Sequence, residues 1–232
     1  MTSLETPPSN PLPVSAIVPT RNAAAHLADA LASVAAATPA ETILIDGGST
    51  DDSVAVARGA PGVQLLSQRS RGLAAARNEA IAASSQPFIA FCDADDRWVD
   101  GGLAALHDAL VAAPEALVAI GLVEPVALDE TTASAEQKAR IGTRLVGFTP
   151  GAMLARREAF RRVGRFDERL SIGADSDWFV RLVDEGLEPI RIDRVVLAKG
   201  MRESSLSGDV ATYRRELLEV ARRHIAARRR RP

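Results

Sequence analysis

Residues 87–96 read Pro-Phe-Ile-Ala-Phe-Cys-Asp-Ala-Asp-Asp, an apolar run that ends in three carboxylates. The run at 87–92 has no polar face, which is typical of a strand covered on both sides in a parallel sheet. Carboxylates at the end of a buried strand are costly unless they meet solvent, hydrogen bonds or a cation. This stretch therefore predicts a buried strand with polar chemistry at its carboxyl end.

Strand-like and helix-like segments alternate on both sides of this stretch. Short apolar runs predict further strands at 14–18, 42–45, 63–66 and 117–123. Apolar spacing and turn residues predict helices at about 23–37, 53–59, 73–85 and 100–113. This alternation over the first 120 residues predicts an α/β fold: a single Rossmann-like domain with a central, mostly parallel sheet flanked by helices. Pro19 is expected to end the first strand and Asn22 to cap the first helix.

The second half of the chain is less periodic. Residues 124–147 predict an excursion with one short helix. The remaining predicted elements are a strand at 150–154, a helix at 156–163, a helix capped by Asp175 or Ser176, a strand at 190–197 and a terminal helix at about 209–229.

Composition excludes several classes of protein. The chain has 232 residues, 47% of them hydrophobic, and a net charge of −2, which argues against general nucleic-acid binding. A single cysteine suits a reducing compartment, and neither an apolar span of about 18 residues nor a secretory signal is evident, so we expect a cytoplasmic protein. Arginine supplies 26 of the 28 basic residues. Six of these arginines lie in residues 222–232. They could form a solvated end of the terminal helix or make a weak contact with an anionic membrane surface.

The acidic turn, Asp93-Ala-Asp-Asp96, is the first candidate for a site with chemical activity. Asp93 and Asp95 are spaced i and i+2, so in an extended segment their carboxylates point the same way. Such oxygen ligands suit Mn²⁺ or Mg²⁺, which usually keeps waters and bridges a substrate diphosphate. The competing interpretation is a turn that caps the following helix.

Two other sets of polar residues are expected at the same edge of the sheet. Asp46 ends the second strand, where its carboxylate could accept from a base or a ribose or form an Asx-turn with the glycines that follow. Arg21 follows the first strand and Arg77 lies in the alanine-rich helix. Guanidinium groups directed at a strand-end crevice suit a diphosphate, whereas exposed arginines need no ligand.

Four motifs occur in a fixed order: Val14-Ser-Ala-Ile-Val-Pro-Thr-Arg-Asn22, Ile43-Leu-Ile-Asp-Gly-Gly-Ser-Thr-Asp51, Arg71-Gly-Leu-Ala-Ala-Ala-Arg-Asn78 and Asp93-Ala-Asp-Asp96. The combination resembles the family 2 glycosyltransferases, whose nucleotide-sugar-binding fold is of GT-A type. The segment at 150–181 is similar to the acceptor half of that family. The resemblance implies a domain at 14–207, with a nucleotide-sugar-binding half at 14–123 and an acceptor half at 124–207. A disordered leader at 1–13 and a basic helix at 208–232 would flank it.

The resemblance also implies roles for individual residues. Asp93 matches the ribose side of the DxD motif and Asp95 the ligand of the divalent metal. The positions that match the nucleotide-sugar site are Pro19, Thr20, Arg21, Asp46, Arg77, Asp93, Ala94 and Asp95. A UDP-sugar is the default donor, and the acceptor is not defined by any motif.

The catalytic base is implied to be Asp175, with Asp177 as the alternative. A base at this position would take the proton of an acceptor hydroxyl in an inverting transfer. The residues by themselves also allow simpler roles. Asp175 could cap the following helix, and Asp177 could form a surface ion pair with Arg181 at i+4.

Three further residues are candidates at the margins of the site. Arg202 matches a position on the loop after the last strand, where a cation could close over the diphosphate, unless it is simply exposed. Trp98 and Trp178 follow acidic loops and could form apolar walls on the acceptor side, or be buried beneath those loops.

Departures from the family pattern keep two other functions open. Gly47 replaces an acid found in many relatives, Ala174 replaces the first acid of the pair, and Arg202 replaces a histidine. These changes allow a non-catalytic relative that binds nucleotide or sugar. The arginine tail allows an interaction protein located at the inner face of a membrane. A homodimer is also left open.

Overall fold

Strands and helices alternate along the chain in this computed structural model, which describes residues 10–128, 139, 141–201 and 210–228. The strands among these residues are β1 (Leu12–Thr20), β2 (Pro39–Asp46), β3 (Val63–Ser67), β4 (Phe88–Phe91), β5 (Arg97–Trp98), β6 (Val118–Ala127), β7 (Leu145–Val146), β8 (Met153–Arg156) and β9 (Ile190–Met201). The α-helices are α1 (Ala24–Ala36), α2 (Ser53–Gly59), α3 (Leu73–Ala83), α4 (Gly102–Ala112), α5 (Arg157–Arg162), α6 (Ala174–Asp184) and α7 (Val210–Arg228). Within the described residues no helix combines the length and the apolar character needed to cross a bilayer.

The strands form one mixed sheet in the order β3-β2-β1-β4-β8-β6-β9-β5, and β7 pairs with β6 beside this path. Strands β1 to β4 run parallel, β8 lies antiparallel between β4 and β6, and β9 runs parallel to β6. The prediction of a single α/β domain with a mostly parallel sheet is confirmed.

Two apolar clusters cover the two faces of this sheet. Helices α1, α2 and α4 pack on one face, where Leu27 and Leu110 are fully buried. Helices α3, α5, α6 and α7 pack on the other, where Trp178 is fully buried among Phe160 and Phe166. Residues of β1 alternate between the clusters, as period-two side-chain geometry requires. Because helices cover both faces of the sheet, the loops at the ends of the strands are the part of the sheet that remains accessible to solvent.

The register brings the candidate residues to one edge. Thr20 pairs with Asp46, and Asp46 pairs with Ser67, so the carboxyl ends of β1, β2 and β3 are level. Strand β4 ends close by, since Ile17 pairs with Phe91. Strand β8 runs in the opposite direction, so its beginning lies at the same edge, together with the carboxyl end of β9.

Two expectations for the first strand and helix are wrong. Strand β1 starts at Leu12 and continues through Pro19 to Thr20. The pairing of β1 with β4 ends at Ile17. Pro19, which has no backbone N–H to donate, is therefore tolerated within the strand beyond that point. Asn22 does not cap α1. Instead the Ala24 N–H donates to Asp51 Oδ2 at 3.0 Å, an acceptor that arrives from the loop after β2.

The second half contains further differences. The segment predicted as a strand at 150–154 begins with a 3₁₀ turn (Pro150–Ala152), in keeping with the fixed φ of proline, and becomes extended at Met153. Helix α6 starts at Ala174, so Asp175 lies in its first turn and is not its cap. The short helix expected within 124–147 falls largely on residues outside the described ranges, as do residues 1–9 of the expected leader and Arg202.

Candidate active site

A cleft of about 960 Å³ opens at the carboxyl edge of β1 to β4. Its walls come from the loops that follow these strands, from the amino end of α3 and from the start of α6. The predicted residues that line it are Pro19, Thr20, Arg21, Arg77, Asp93, Ala94, Asp95 and Asp175. The tertiary structure thus joins positions from both halves of the chain in one site.

Asp46 takes the turn role that the sequence left open. Its carboxylate accepts from the Gly48 N–H at 3.1 Å and the Ser49 N–H at 3.2 Å, and its side chain does not line the cleft. The flanking Gly47 does line it. A Cβ on Gly47 would stand 2.9 Å from Gln68 Oε1, so the side chain of Gln68 fills the space that a side chain at position 47 would need.

The centre of the site is a buried arginine. Arg77 is 1% exposed, and its guanidinium donates from Nη1 to Asp175 Oδ1 at 2.5 Å and from Nη2 to Asp93 Oδ1 at 2.8 Å. The rings of Phe91 and Phe166 lie 5.8 and 5.7 Å from its Cζ. Cation–π contact and two carboxylates therefore balance a charge that would otherwise be costly to bury. The acidic turn after β4 and the first turn of α6 are joined through this one side chain.

The pKa values of the two carboxylates bound to Arg77 are shifted in opposite directions. Burial would raise the pKa of Asp93, but the charges of Arg77 and Lys199 outweigh it, so this pKa is lowered. At Asp175 burial dominates and raises the pKa, although Arg77 opposes the shift. Asp175 is therefore the more basic carboxylate of the pair.

The acidic turn is attached to β9 by its last residue. Asp96 is buried, and its carboxylate accepts from the Gly200 N–H at 2.9 Å and lies 3.5 Å from Lys199 Nζ. Burial, opposed by Lys199 and assisted by Asp93 and Asp95, raises the pKa of Asp96 to about 7. Lys199 also lines the cleft, so it is a cation of the site that sequence reasoning missed. The available signal was a lysine at the end of a strand in a chain that otherwise uses arginine.

Asp177, the alternative base, does not face the cleft. Its carboxylate accepts from Arg181 Nε at 2.8 Å and lies 3.4 Å from His224 Nε2 of α7. It is 4% exposed, whereas the Arg181 side chain keeps 25% exposure, so the ion pair is partly buried and is not a surface pair. The expectation that Asp177 could act as the base is contradicted because α7 packs over this side of α6.

The expectation that two tryptophans form acceptor walls is also contradicted. The Trp98 indole N–H donates to the backbone oxygens of Phe91 and Gly151 at 3.1 and 3.2 Å, beneath the acidic turn. Trp178 has no exposed surface, and its indole donates to the Gly164 oxygen. Thr149, Ser171 and Ile172 line the part of the cleft that comes from the second half of the chain.

The acidic turn fits a divalent cation that takes part of its coordination from substrate. Among the described residues no group of three His, Cys, Asp or Glu side chains could hold a metal by itself. Magnesium-type ions commonly use one or two carboxylates together with substrate phosphates and water. Asp95 lines the cleft beside Asp93, whose Oδ1 is already engaged by Arg77. This turn could therefore supply carboxylate oxygens to a divalent cation whose remaining ligands come from substrate and water.

Sequence comparison identifies the family. The sequence model for Glycosyl transferase family 2 matches residues 15–164. The chain belongs to glycosyl transferase family 2. It is 35% identical to the succinoglycan biosynthesis protein ExoU of Rhizobium meliloti over 94% of this chain and 70% of that protein. It is 31% identical to a pre-mycofactocin glycosyltransferase of Mycobacterium tuberculosis over 80% of this chain, which spans only 43% of that relative.

Solved structures of the same fold share little sequence with this family 2 glycosyltransferase. Residues 1–349 of Staphylococcus aureus TarS, in complex with UDP-GlcNAc, match with a TM-score of 0.65 at 17% identity, over 84% of this chain and 60% of that one. A glucosyl-3-phosphoglycerate synthase from Mycobacterium tuberculosis, in complex with Mn²⁺, UDP and phosphoglyceric acid, matches with a TM-score of 0.65 at 16% identity, over 91% and 78%. These likenesses place the fold among the GT-A glycosyltransferases.

Replacing Arg77 with methionine is expected to lower the free energy of unfolding by about 2–3 kcal/mol, because two carboxylates lose their shared counter-ion. The loss stays below that of a fully buried pair since the Asp93 and Asp175 side chains keep 22% and 27% exposure. Urea denaturation near neutral pH measures the change. The matched variant Arg58→Met, at an exposed position of α2, is expected to stay within about 0.5 kcal/mol of the parent. Equal effects of the two variants would refute the bridging role of Arg77.

Proposed function

We propose that this glycosyltransferase moves a sugar from a UDP-sugar to an acceptor hydroxyl, with inversion at the anomeric carbon and with a divalent cation. The observation that carries the proposal is the bridge Asp93–Arg77–Asp175. It puts a raised-pKa carboxylate from the acceptor half beside the acidic turn of the donor half, in one cleft. A base and a nucleotide-binding turn on facing walls are what direct transfer between two bound substrates requires.

The donor side of the cleft suits a nucleoside diphosphate. Arg21, Arg69 and Arg71 line it together with Lys199, so several cations surround the position of a diphosphate. The guanidinium fork matches phosphate oxygens. The TarS and glucosyl-3-phosphoglycerate synthase structures contain UDP-GlcNAc and UDP, which supports a uridine nucleotide as donor.

A divalent cation, when bound through Asp95, supplies charge neutralisation for the departing diphosphate. The Mn²⁺ in the glucosyl-3-phosphoglycerate synthase complex supports this role, as does the position of Asp95 in the lining of the cleft. Asp93 then faces the ribose side, with its charge held by Arg77.

The transfer step uses Asp175 as general base. As the acceptor oxygen attacks the anomeric carbon, its proton passes to Asp175, and the bond between that carbon and the diphosphate oxygen breaks. Arg77 binds Oδ1 of Asp175, so Oδ2 is available to take the proton. The pKa of Asp175 is raised by burial, which strengthens it as a base. Arg77 also fixes the orientation of the carboxylate before the acceptor arrives.

Binding without turnover is the second candidate function. The ion pair with Arg77 opposes the basicity of Asp175. Ala174, at the position of the missing first acid, is buried against the core and cannot present a polar group to the cleft. A relative that holds UDP-sugar without consuming it would have the same cleft. Turnover distinguishes the two functions.

Asp175→Asn is expected to reduce UDP release from a UDP-sugar by about 10²- to 10⁴-fold, since the variant keeps the shape of the side chain but cannot accept the proton. UDP release is followed with UDP-glucose and UDP-N-acetylglucosamine in Mn²⁺, with water or added sugars as acceptors. UDP affinity, measured by calorimetry, is expected to change little.

Asp108→Asn, at a side chain that is 83% exposed on α4, serves as the matched control and is expected to leave both quantities unchanged. Full activity of Asp175→Asn would remove this residue from the base role. A parent protein that binds UDP-sugar but never releases UDP would favour the second candidate function.

Asp95→Ala is expected to remove the dependence of UDP binding on Mn²⁺, because the metal loses its protein ligand while the cations of the cleft remain. Calorimetric titration of UDP with and without Mn²⁺ gives the two affinities. Asp100→Ala, an exposed position a few residues further along, should behave as the parent does. Undiminished Mn²⁺ dependence in Asp95→Ala would place the metal elsewhere.

The outward face of α7 supports the proposal of a weak contact with an anionic membrane surface. Arg214, Leu218, Arg222 and Ile225 recur at helical spacing, and Leu218 and Ile225 are 58% and 53% exposed. Arg223 lies on the inner side and pairs with Asp167, so it does not belong to this face. The arginines at 229–231 lie outside the described residues.

Exchanging both Arg214 and Arg222 for glutamine is expected to weaken binding to phosphatidylglycerol vesicles roughly 10- to 30-fold, at about 1 kcal/mol for each charge. Vesicle co-sedimentation at low and high salt measures the affinity, and high salt should release the parent. Arg58→Gln is the control on another surface. Equal partition of the parent to anionic and to phosphatidylcholine vesicles would rule out this contact.

A further inference from the structure

We propose that Glu216 of α7 is a positioning residue for the base, because its carboxylate fixes the loop at 171–173 from which α6 and Asp175 begin. The inference rests on the proposed role of Asp175. It adds a distant helix, beyond the residues that the family model matches, to the machinery of the site.

The carboxylate of Glu216 is fully used by this loop. Oε1 accepts from the Ser171 N–H at 3.0 Å and from its hydroxyl at 2.6 Å. Oε2 accepts from the Ile172 N–H at 2.9 Å and the Gly173 N–H at 2.8 Å. Three consecutive backbone donors and one hydroxyl therefore converge on one side chain that is 5% exposed.

These donors lie directly ahead of a helix that has no side-chain cap of its own, and the last of them, the Gly173 N–H, belongs to its N-cap residue. Backbone N–H groups at such an end lack partners within the helix and favour negative charge. Glu216 supplies that charge from α7. Burial would raise its pKa, but the hydrogen bonds from Ser171, Ile172 and Gly173 lower it to about 2. The residue is therefore ionised throughout the physiological range, and its hydrogen bonds are charge-assisted.

The close approach depends on Gly173. A Cβ at this position would stand 3.1 Å from Glu216 Cβ, closer than ordinary van der Waals contact. The glycine lets α7 bring its carboxylate against the backbone.

The anchored loop is part of the cleft wall. Ser171 and Ile172 line the cleft on the acceptor side, and Asp175 follows in the first turn of α6. The orientation of that turn sets where the Asp175 carboxylate meets Arg77 and an acceptor hydroxyl. A displacement of about 1 Å in a reacting group can cost about 10²-fold in rate. Fixing the loop therefore serves the geometry of the base and not only the stability of the fold.

Other contacts hold α7 in place without Glu216. Val220 is buried in the apolar cluster that contains Trp178, and His224 Nδ1 lies 2.7 Å from Asp184 Oδ2 of α6. Arg223 pairs with Asp167 at 3.0 Å. Removing the Glu216 carboxylate is therefore expected to release the loop while α7 stays docked, which makes the role testable in the full chain.

Amide hydrogen exchange tests the anchoring directly and needs no substrate. In Glu216→Ala, the amides of residues 171–173 are expected to exchange at least about 10-fold faster than in the parent, since each loses its acceptor. In the isosteric Glu216→Gln, one neutral acceptor oxygen remains and the other is replaced by a donor, so exchange is expected to be faster than in the parent at the amides that face the new NH₂ group. The control is Glu219→Ala, at a carboxylate 61% exposed on the same helix, which should leave these amides protected. Unchanged protection in both Glu216 variants would overturn the inference.

Kinetics test the link to Asp175. Glu216→Ala is expected to slow UDP release from the UDP-sugar that the parent consumes by about 10- to 100-fold, with the affinity for UDP and Mn²⁺ unchanged. Added acetate, which can occupy the vacated anion position, is expected to restore part of the rate. The double variant Asp175→Asn, Glu216→Ala is expected to be no slower than Asp175→Asn alone, because Glu216 acts through that base.

The outcomes separate the two proposals. Faster exchange at 171–173 with an unchanged rate, or a double variant whose losses multiply, would overturn the positioning role and leave Asp175 as base. A parent that neither binds UDP nor releases it from any UDP-sugar would overturn the proposed function, while the exchange data would still decide whether Glu216 anchors the loop.

Discussion

A buried guanidinium between two carboxylates is the interaction on which the site depends. Arg77 is unable to shed its proton and has almost no access to water, so both Asp93 and Asp175 are needed as counter-charges. One partner follows the central strand β4, and the other begins a helix about 80 residues later in the chain. Satisfying one buried charge therefore fixes the distance between the acidic turn after β4 and the first turn of α6.

Helix ends in this fold are often completed by residues distant in sequence. Asp51 accepts the first N–H of α1, and Glu216 accepts three N–H groups ahead of α6. Each contact ties a loop of the cleft to another element, which limits the freedom of loops that must otherwise be exposed at the strand ends. The same device connects α7 to the wall of the cleft at 171–172, although the exposed side of this helix carries mainly arginines and scattered apolar side chains.

Prediction from sequence succeeded where the signal was local and failed where it depended on packing. Strand and helix periodicity located nearly all the described elements. The end of a parallel strand located Asp93 and Asp95 at one edge of the sheet, and the alanine-rich helix located Arg77 beside them. Trp98 and Trp178 could not be assigned, because an aromatic side chain after an acidic loop is equally consistent with a wall and with a buried support. Lys199 was missed because its strand pairs beside β6, far along the chain from the acidic turn.

The sequence by itself determined the α/β class, the family and the loops that carry polar chemistry, because side-chain periodicity and strand-end residues are properties of short segments. Only the tertiary structure decided which carboxylate faces the cleft. Asp175 and Asp177 lie two residues apart on one helix, yet the first faces the cleft and Arg77 while the second lies beneath α7 against Arg181 and His224. The helical turn separates their directions, and the packing of α7 decides which direction is solvent and which is core.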